Sequence, residues 1–287
     1  MPELPEVETI RRQLEPEVVG RRIEAVEVLD ERWTRPDPPA ALERAVAGRT
    51  IEAAERRGKY LILRLDGGGA LVMHLRMTGN LVLRPASEGD DRFLRARLSL
   101  DDGSELLFTD ARRFGHAVAL EGEEVDAYFA SRLGLEPLGG ALTPVALGEL
   151  AAGRTAPLKS FLLTQTGVAG IGNIYADEAL FRARLHPLSP AGSMRAEHCE
   201  DLVEGIVDAL EVALRNRGSS IDDYRDARGE RGSMQDEFLV HTREGELCPR
   251  CGDTIRRIVV GGRSTYFCPG CQRRLRREPR RKATTRR

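Results

Sequence analysis

No apolar run in this 287-residue chain approaches the ~20 residues that a membrane-spanning helix needs. The opening stretch, Met1 to Glu8, is acidic and proline-bearing. It lacks the positive start and apolar centre of a secretory leader, so a cytoplasmic enzyme is expected. No internal repeat is visible. An excess of charge is also missing: 44 basic residues stand against 45 acidic ones, for a net charge of −1. That balance by itself says nothing about partners, but its distribution does. From Cys248 onward thirteen Arg and Lys face two carboxylates, Asp253 and Glu278. A basic end on a near-neutral chain points to a polyanion. The alternative for Arg273 onward is a disordered solubilising tail.

What is present is an ordinary globular composition, 41% hydrophobic and 31% charged, in a length that suits two domains. Pro5 to Leu14 reads as a helix. Pro5 fits its first turn, Glu6 and Glu8 sit near the positive end, and Val7, Ile10 and Leu14 share a face. From Ile23 to Leu120 the period becomes that of strands. Val26 and Val28 alternate with charge, Leu71 to Met73 and Leu81 to Leu83 are short apolar runs, and Arg95 to Phe108 reads as a hairpin around Asp101-Asp102-Gly103. Short strands at this spacing suggest a β-sandwich or barrel. After Gly134 helical patterns follow: one opened by Thr143-Pro144, then Lys159 to Thr164, Ile174 to Leu185 and Glu197 to Arg215. Residues 222–237, charged and glycine-bearing, read as a mobile loop. The fold class is α+β: a β domain with a leading helix, a helical domain and a metal-bound hairpin.

Cysteine is scarce, five residues in all, yet four carry the strongest local signal. Cys248-x2-Cys251 and Cys268-x2-Cys271 are two knuckles, with Ile255 to Val260, Gly261-Gly262 and Arg263 to Phe267 reading as a hairpin between them. Four thiolates at this spacing match one structural Zn2+, and they leave no coordination position open for chemistry. Two disulfides are the alternative, which a cytosolic chain of this size does not need. Cys199 reads as an ordinary thiol within a helix.

The second signal is Met1-Pro2-Glu3. Methionine is usually trimmed before a residue as small as proline, and trimming exposes a secondary amine. Such an amine can attack a sugar carbon and form an iminium, as lysine does in Schiff-base enzymes. The nearby positive helix end favours its neutral form, while Glu3 and Glu6 oppose that.

Taken in order, Pro2 to Thr9, Arg57-Gly58-Lys59-Tyr60-Leu61, His74-Leu75-Arg76-Met77-Thr78-Gly79, Thr109-Asp110-Ala111-Arg112-Arg113-Phe114-Gly115, Gly170-Ile171-Gly172-Asn173-Ile174-Tyr175-Ala176-Asp177-Glu178 and the terminal cysteine module resemble the formamidopyrimidine-DNA glycosylases. The resemblance runs from Pro2 to Gln272. It implies an N-terminal catalytic β-sandwich domain over 1–134, a helix–two-turn–helix DNA-binding domain over 135–240, a zinc finger over 241–273 and a basic tail over 274–287. It implies removal of oxidised purines from damaged double-stranded DNA, followed by strand cutting at the abasic site, by a monomer with no nucleotide cofactor.

A base inside a duplex must be extruded before it can be cut. The resemblance makes Phe114 the wedge between base pairs, Met77 the filler of the vacated space, and Arg112 the partner of the orphaned base. Read alone, these are a core Phe, a core Met and a surface Arg. Lys59, Asn173 and Arg263 resemble a phosphate clamp, with Asn173 placed just before the helix at Ile174, where backbone amides suit an anion. The two preceding glycines are read as allowing DNA to approach closely. Lys59 alone reads as a solvated strand-end charge, and Lys159 is a further site-lining cation. Pro2 is implied to be the nucleophile, Glu3 the proton donor, and Glu6 part of the lesion pocket, while His74 is read as structural.

Three departures stand out. Ala111 replaces the family's usual proline. The segment Ser219 to His241 departs more, and Leu239-Val240-His241-Thr242 lacks a Tyr-Gly element that many relatives carry in the lesion loop and the strand after it. Arg273 to Arg287 extends beyond the family's usual end. The nearest rival is an endonuclease VIII-like glycosylase for oxidised pyrimidines, disfavoured by Leu4 and by the pair Arg112 and Phe114. A non-catalytic zinc-ribbon protein that senses damage is the rival of another class.

Overall fold

The computed structural model describes residues 1–89, 91–221 and 223–276. The chain groups into two compact units. The first comprises 1–136, 168–171 and 210–237; the second comprises 137–167, 172–209 and 238–287. These units are defined by packing and cut across the linear order of the chain. Residues 210–237 group with the β-rich unit, and the cysteine module groups with the helices.

In the first unit, α1 (Leu4–Val18) leads into β1 (Ile23–Val28), α2 (Pro39–Val46), β2 (Ile51–Arg57), β3 (Tyr60–Leu65), β4 (Gly69–His74), β5 (Gly79–Pro85), β6 (Leu94–Leu100), β7 (Ser104–Asp110), β8 (His116–Glu121) and α3 (Glu124–Ala130). Two antiparallel four-stranded sheets form, in the orders β1-β6-β7-β5 and β2-β3-β4-β8. One apolar core unites them, with Leu61, Leu63, Leu71 and Met73 from the second sheet and Leu81, Leu98, Leu106 and Phe108 from the first. This is the expected sandwich. β3 shows how period two divides a strand: Leu61, Leu63 and Leu65 face that core, whereas Tyr60 and Ile62 face a second cluster with Val125 and Phe129 of α3. The expected β6–β7 hairpin forms with Gly103 at φ +81°.

The charged stretch read as a loop is not bare. Tyr224, Asp226, Ala227 and Met234 are buried, and the Ala227 N–H donates to Gln13 Oε1 at 2.9 Å. That expectation is corrected for the described residues.

The second unit contains α4 (Pro144–Ala151), α5 (Leu158–Leu163), α6 (Asn173–Arg182), the first part of α7 (Ala196–Arg215) and the hairpin β9 (Arg256–Val260)–β10 (Arg263–Phe267). Thr143 caps α4, its hydroxyl accepting the Ala146 N–H at 3.1 Å. Gly261 and Gly262 both take positive φ at the hairpin turn, as a two-residue connection of this type demands. Beneath the hairpin lies a small core of Phe181, Val240, Cys248, Ile255 and Cys268. No described helix is long and apolar enough to cross a membrane.

Candidate active site

Pro2 and Glu3 are buried immediately ahead of α1. Glu3 is the N-cap of α1 and closes a capping box with Glu6, whose Oε2 accepts the Glu3 N–H at 2.8 Å. The other Glu6 oxygen, Oε1, accepts the Ser219 N–H at 2.8 Å. Glu6 is 1% exposed. Two main-chain amides, one on each oxygen, thus fix its carboxylate in the frame around Pro2. The Leu4 N–H donates to the Gly170 carbonyl at 3.1 Å. A Cβ on Gly170, at φ +83°, would stand 2.5 Å from Leu4 Cδ1 and 2.8 Å from Leu4 Cβ. This glycine is therefore required for the seat of the N-terminus.

Lys59 follows Gly58, the turn residue between β2 and β3. The Gly58 N–H is held by Glu136, which also pairs with Arg56 at 2.9 Å. Lys59 is buried, so it is not the solvated strand-end charge that the bare sequence suggests.

A second constellation of the first unit surrounds the end of β7. Phe114 is 54% exposed, an unusual outlay for so large an apolar ring. The Arg112 guanidinium lies 4.9 Å from its ring centre. Buried Asp110 organises the turn that presents both. Its Oδ1 accepts the Arg112 N–H at 3.1 Å, and its Oδ2 accepts the Phe114 N–H at 2.8 Å and the Gly115 N–H at 2.7 Å. Arg113, at φ +60°, is clamped to both carboxylate oxygens of Asp30 through its Nε and Nη2. That cation, more than the opposing effect of burial, holds the Asp30 carboxyl below its usual range. Ala111 thus occupies a turn fixed by other residues. Half-buried Met77 sits in the turn between β4 and β5. This turn is shaped by Arg76 at φ +56° and by His74, whose Nδ1 accepts the Arg76 N–H at 2.9 Å. Burial, reinforced by the nearby Arg76 charge, pushes His74 well down, so its ring is neutral and structural, stacked on His116.

In the second unit Asn173 is the first residue of α6, not the residue before it; Gly172 is the N-cap. Its Nδ2 donates to the Ser264 carbonyl at 3.0 Å, while its buried Oδ1 has no partner. Ser264 is the neighbour of exposed Arg263 on β10, so the fold brings these two expected phosphate ligands together. Lys159 requires a correction. It is 0% exposed, and its Nζ donates to Asp177 Oδ1 at 2.6 Å and to the Asn173 carbonyl at 2.7 Å. A side chain so enclosed steadies the first turn of α6 and does not reach DNA.

Sequence reasoning missed Asp110, Asp177 and Glu178 as organisers. Glu178 Oε1 gathers the N–H groups of Leu239, Val240 and His241, each at 3.0 Å. Asp177 Oδ2 meets His241 Nδ1 at 2.8 Å. Thr242 then takes φ +62°, a conformation that glycine adopts without strain.

Family models match the chain along its length: the formamidopyrimidine-DNA glycosylase N-terminal domain over residues 1–117, the formamidopyrimidine-DNA glycosylase H2TH domain over 133–225, and the zinc finger found in FPG and IleRS over 245–274. The formamidopyrimidine-DNA glycosylase of Chloroflexus aurantiacus is 47% identical over 277 residues, 95% of this chain and 98% of that protein. This chain belongs to the formamidopyrimidine-DNA glycosylase family. A relative with the same name from Symbiobacterium thermophilum is 47% identical over 274 residues, covering 95% of this chain and 89% of that one. Among solved structures, Lactococcus lactis Fpg in complex with DNA containing an abasic site superposes with a TM-score of 0.89 at 35% identity, covering 95% of this chain and all of that one. A variant of the same Lactococcus protein in complex with Fapy-dG-containing DNA gives 0.89 at 36% identity, with the same coverage.

The family's zinc finger is formed by Cys248, Cys251, Cys268 and Cys271, whose sulfurs all lie within 4.8 Å of one another. Two of the spacings are 3.7 Å and 3.5 Å. A tetrahedron of sulfurs about 2.3 Å from zinc has edges of about 3.8 Å, so the donor set fits one structural Zn2+. A dication is also what allows four thiolates to coexist. Burial, with its neighbouring thiols, otherwise pushes Cys271 up to about 12, while at Cys248 burial is outweighed by the amides of Arg250 and Cys251 together with the Cys268 and Cys251 thiols, which bring it to about 7.

Proposed function

We propose that the chain excises oxidised purines, 8-oxoguanine and formamidopyrimidines, from duplex DNA and cuts the strand at the resulting abasic site. The amine of Pro2 is the nucleophile. The observation that carries this reading is the frame around Pro2: α1 is closed by a Glu3–Glu6 capping box, tied to Ser219 through Glu6 and seated on Gly170 through Leu4. A nucleophile needs such fixed placement, because a misplacement of about 1 Å costs roughly 100-fold in rate. Met1 acylates the Pro2 nitrogen, so removal of Met1 creates the nucleophile.

The DNA is bent and the lesion extruded, with Phe114 as the wedge, Met77 as the filler and Arg112 as the partner of the orphaned base. Lys59, Asn173 and Arg263 hold phosphates. The Pro2 nitrogen attacks C1′ and the bond from C1′ to the base breaks, its electron pair leaving with the base, which takes up the proton that the amine sheds. Glu3 gives a proton to the sugar oxygen as the ring opens, which leaves an iminium. Loss of a C2′ proton into that electron sink expels the 3′ phosphate, and a second elimination expels the 5′ phosphate. The zinc, held by four cysteines, braces the hairpin that carries Arg263. The enzyme acts as a monomer in the cytoplasm, on the chromosome.

Borohydride reduction traps the iminium. The processed protein should give a covalent adduct with an 8-oxoguanine duplex, and Pro2→Gly should abolish it. Undiminished trapping by Pro2→Gly would overturn the assignment. Running 8-oxoguanine, formamidopyrimidine and thymine glycol duplexes together tests the purine preference against the pyrimidine alternative.

A further inference from the structure

We infer that Asp110 is a positioning residue that joins the two gap-filling loops to one another and, through β5, to segment 223–227. The inference rests on the excision proposed above. Asp110 is 1% exposed, and burying a carboxylate is costly unless it is well partnered. Among the described residues no cation meets this carboxylate. Arg95 Nε instead donates to the Asp110 main-chain carbonyl at 2.8 Å. Three backbone amides, those of Arg112, Phe114 and Gly115, and the Thr78 hydroxyl converge on its two oxygens. An asparagine offers only one acceptor oxygen, so four donors require the acid.

Thr78 is the next link. Its hydroxyl donates to Asp110 and accepts the Arg112 N–H at 3.1 Å, and it directly follows Met77. Two residues on, Asn80 reaches the other way. Its Oδ1 accepts the Arg225 N–H at 2.8 Å and its Nδ2 donates to the Asp223 carbonyl at 3.1 Å. The Leu83 N–H adds a bond to the Ala227 carbonyl at 2.9 Å. Gly79 pairs with Asp110 and Asn80 with Thr109 across the sheet, so both links start from adjacent rungs. A cavity of about 780 Å³ lies where these parts meet, lined by Thr78, Asn80, Thr109, Ala111, Asp223 and Arg225 among others. The wedge, the filler and this segment are therefore one hydrogen-bonded assembly, and insertion of Phe114 is felt at residue 225. Contiguity of this kind becomes coupling only when both ends respond to a change at the link.

The test uses full-length, Met1-processed protein carrying Asp110→Asn or Thr78→Val. Thr78→Val leaves the three amide bonds to Asp110 intact and guards against a folding failure of the first variant. Two single-turnover substrates are compared: an 8-oxoguanine duplex with 2-aminopurine beside the lesion, and a duplex with a preformed abasic site, which has no base to extrude. Both variants should slow 8-oxoguanine excision, about 10- to 100-fold for Asp110→Asn. The 2-aminopurine unstacking phase should slow in parallel, and cutting of the abasic duplex should change by less than about 3-fold. The double variant should be no slower than Asp110→Asn alone. Equal slowing on both substrates, or Thr78→Val with unchanged unstacking, overturns the inference. A wild-type protein that unstacks the probe without cutting either duplex refutes the proposed excision instead, and the unstacking rates of the variants still decide the role of Asp110.

Discussion

Replacing Gly170 by alanine separates two uses of a glycine beside the DNA-binding motif. If the residue exists to admit DNA, alanine should weaken binding and leave the free protein alone. The structure assigns it to the N-terminus. The new Cβ would lie 2.5 Å from Leu4 Cδ1 and 2.8 Å from Leu4 Cβ. A rotamer change can move the first atom but not the second, so the backbone must give. Overpacking of this kind costs about 1–3 kcal/mol, and a non-glycine residue held at φ +83° adds about 1–2 kcal/mol. The expected loss of stability is about 2–5 kcal/mol, a large part of the roughly 5–15 kcal/mol that holds a typical domain folded. Where the variant stays folded, the Leu4–Gly170 hydrogen bond of 3.1 Å is stretched and the Pro2–Glu3 pair moves with it. Urea unfolding should show the destabilisation. Borohydride trapping on an 8-oxoguanine duplex should slow about 10- to 100-fold, with affinity for an abasic-analogue duplex nearly unchanged. Normal stability and normal trapping combined with weakened affinity would refute the reasoning and restore the DNA-approach explanation.

Lys159→Met should destabilise the protein by about 3–5 kcal/mol, since it removes the cation beside the buried Asp177 carboxylate and leaves it only His241, and adding Asp177→Asn should recover part of that in urea titrations; a loss of DNA affinity without a loss of stability would mean that Lys159 meets phosphate after all. His116 should make folding acid-sensitive. Burial, aided by Arg76 and Arg132, lowers it from 6.5 to about 4, so the unfolded chain takes up the proton first. Its contribution, at most about 3 kcal/mol, is full above about pH 6.5 and is lost as pH falls towards 4. His116→Phe should flatten the dependence of stability on pH across that window. Removing the basic extension 274–287, of which 277–287 lie outside the described residues, should weaken duplex binding and flatten its salt dependence, by about 0.9 in log–log slope for each phosphate that the extension neutralises; an unchanged slope would leave the extension without a role in binding.

Much of this architecture was readable because it is local. Strands of the sandwich show their period in β1 and β3, the β6–β7 hairpin shows its Asp-Asp-Gly turn, and the zinc ligands show their spacing. Two short helices escaped notice. α2 buries only Leu42 and Val46, and α3 only Val125 and Phe129, so neither repeats its apolar face often enough to reveal a period. The organisers of the site were hidden for another reason: their partners are distant in sequence. Asn80 meets Arg225 across 145 positions, and Glu6 meets Ser219 across 213. Lys159 was misjudged in the same sense. A charged side chain in a binding motif reads as a ligand contact, and only tertiary structure reveals that its charge is already spent inside the protein.

The grip of Glu178 on residues 239–241 bears on how parts of such a chain can be exchanged. Three amides are fastened to α6 before the first zinc ligand, Cys248, is reached. The metal-binding hairpin therefore does not dangle from a linker; it departs from a moored point with a set heading. A foreign hairpin grafted after Thr242 would inherit that heading, whereas one grafted before Leu239 would have to supply its own.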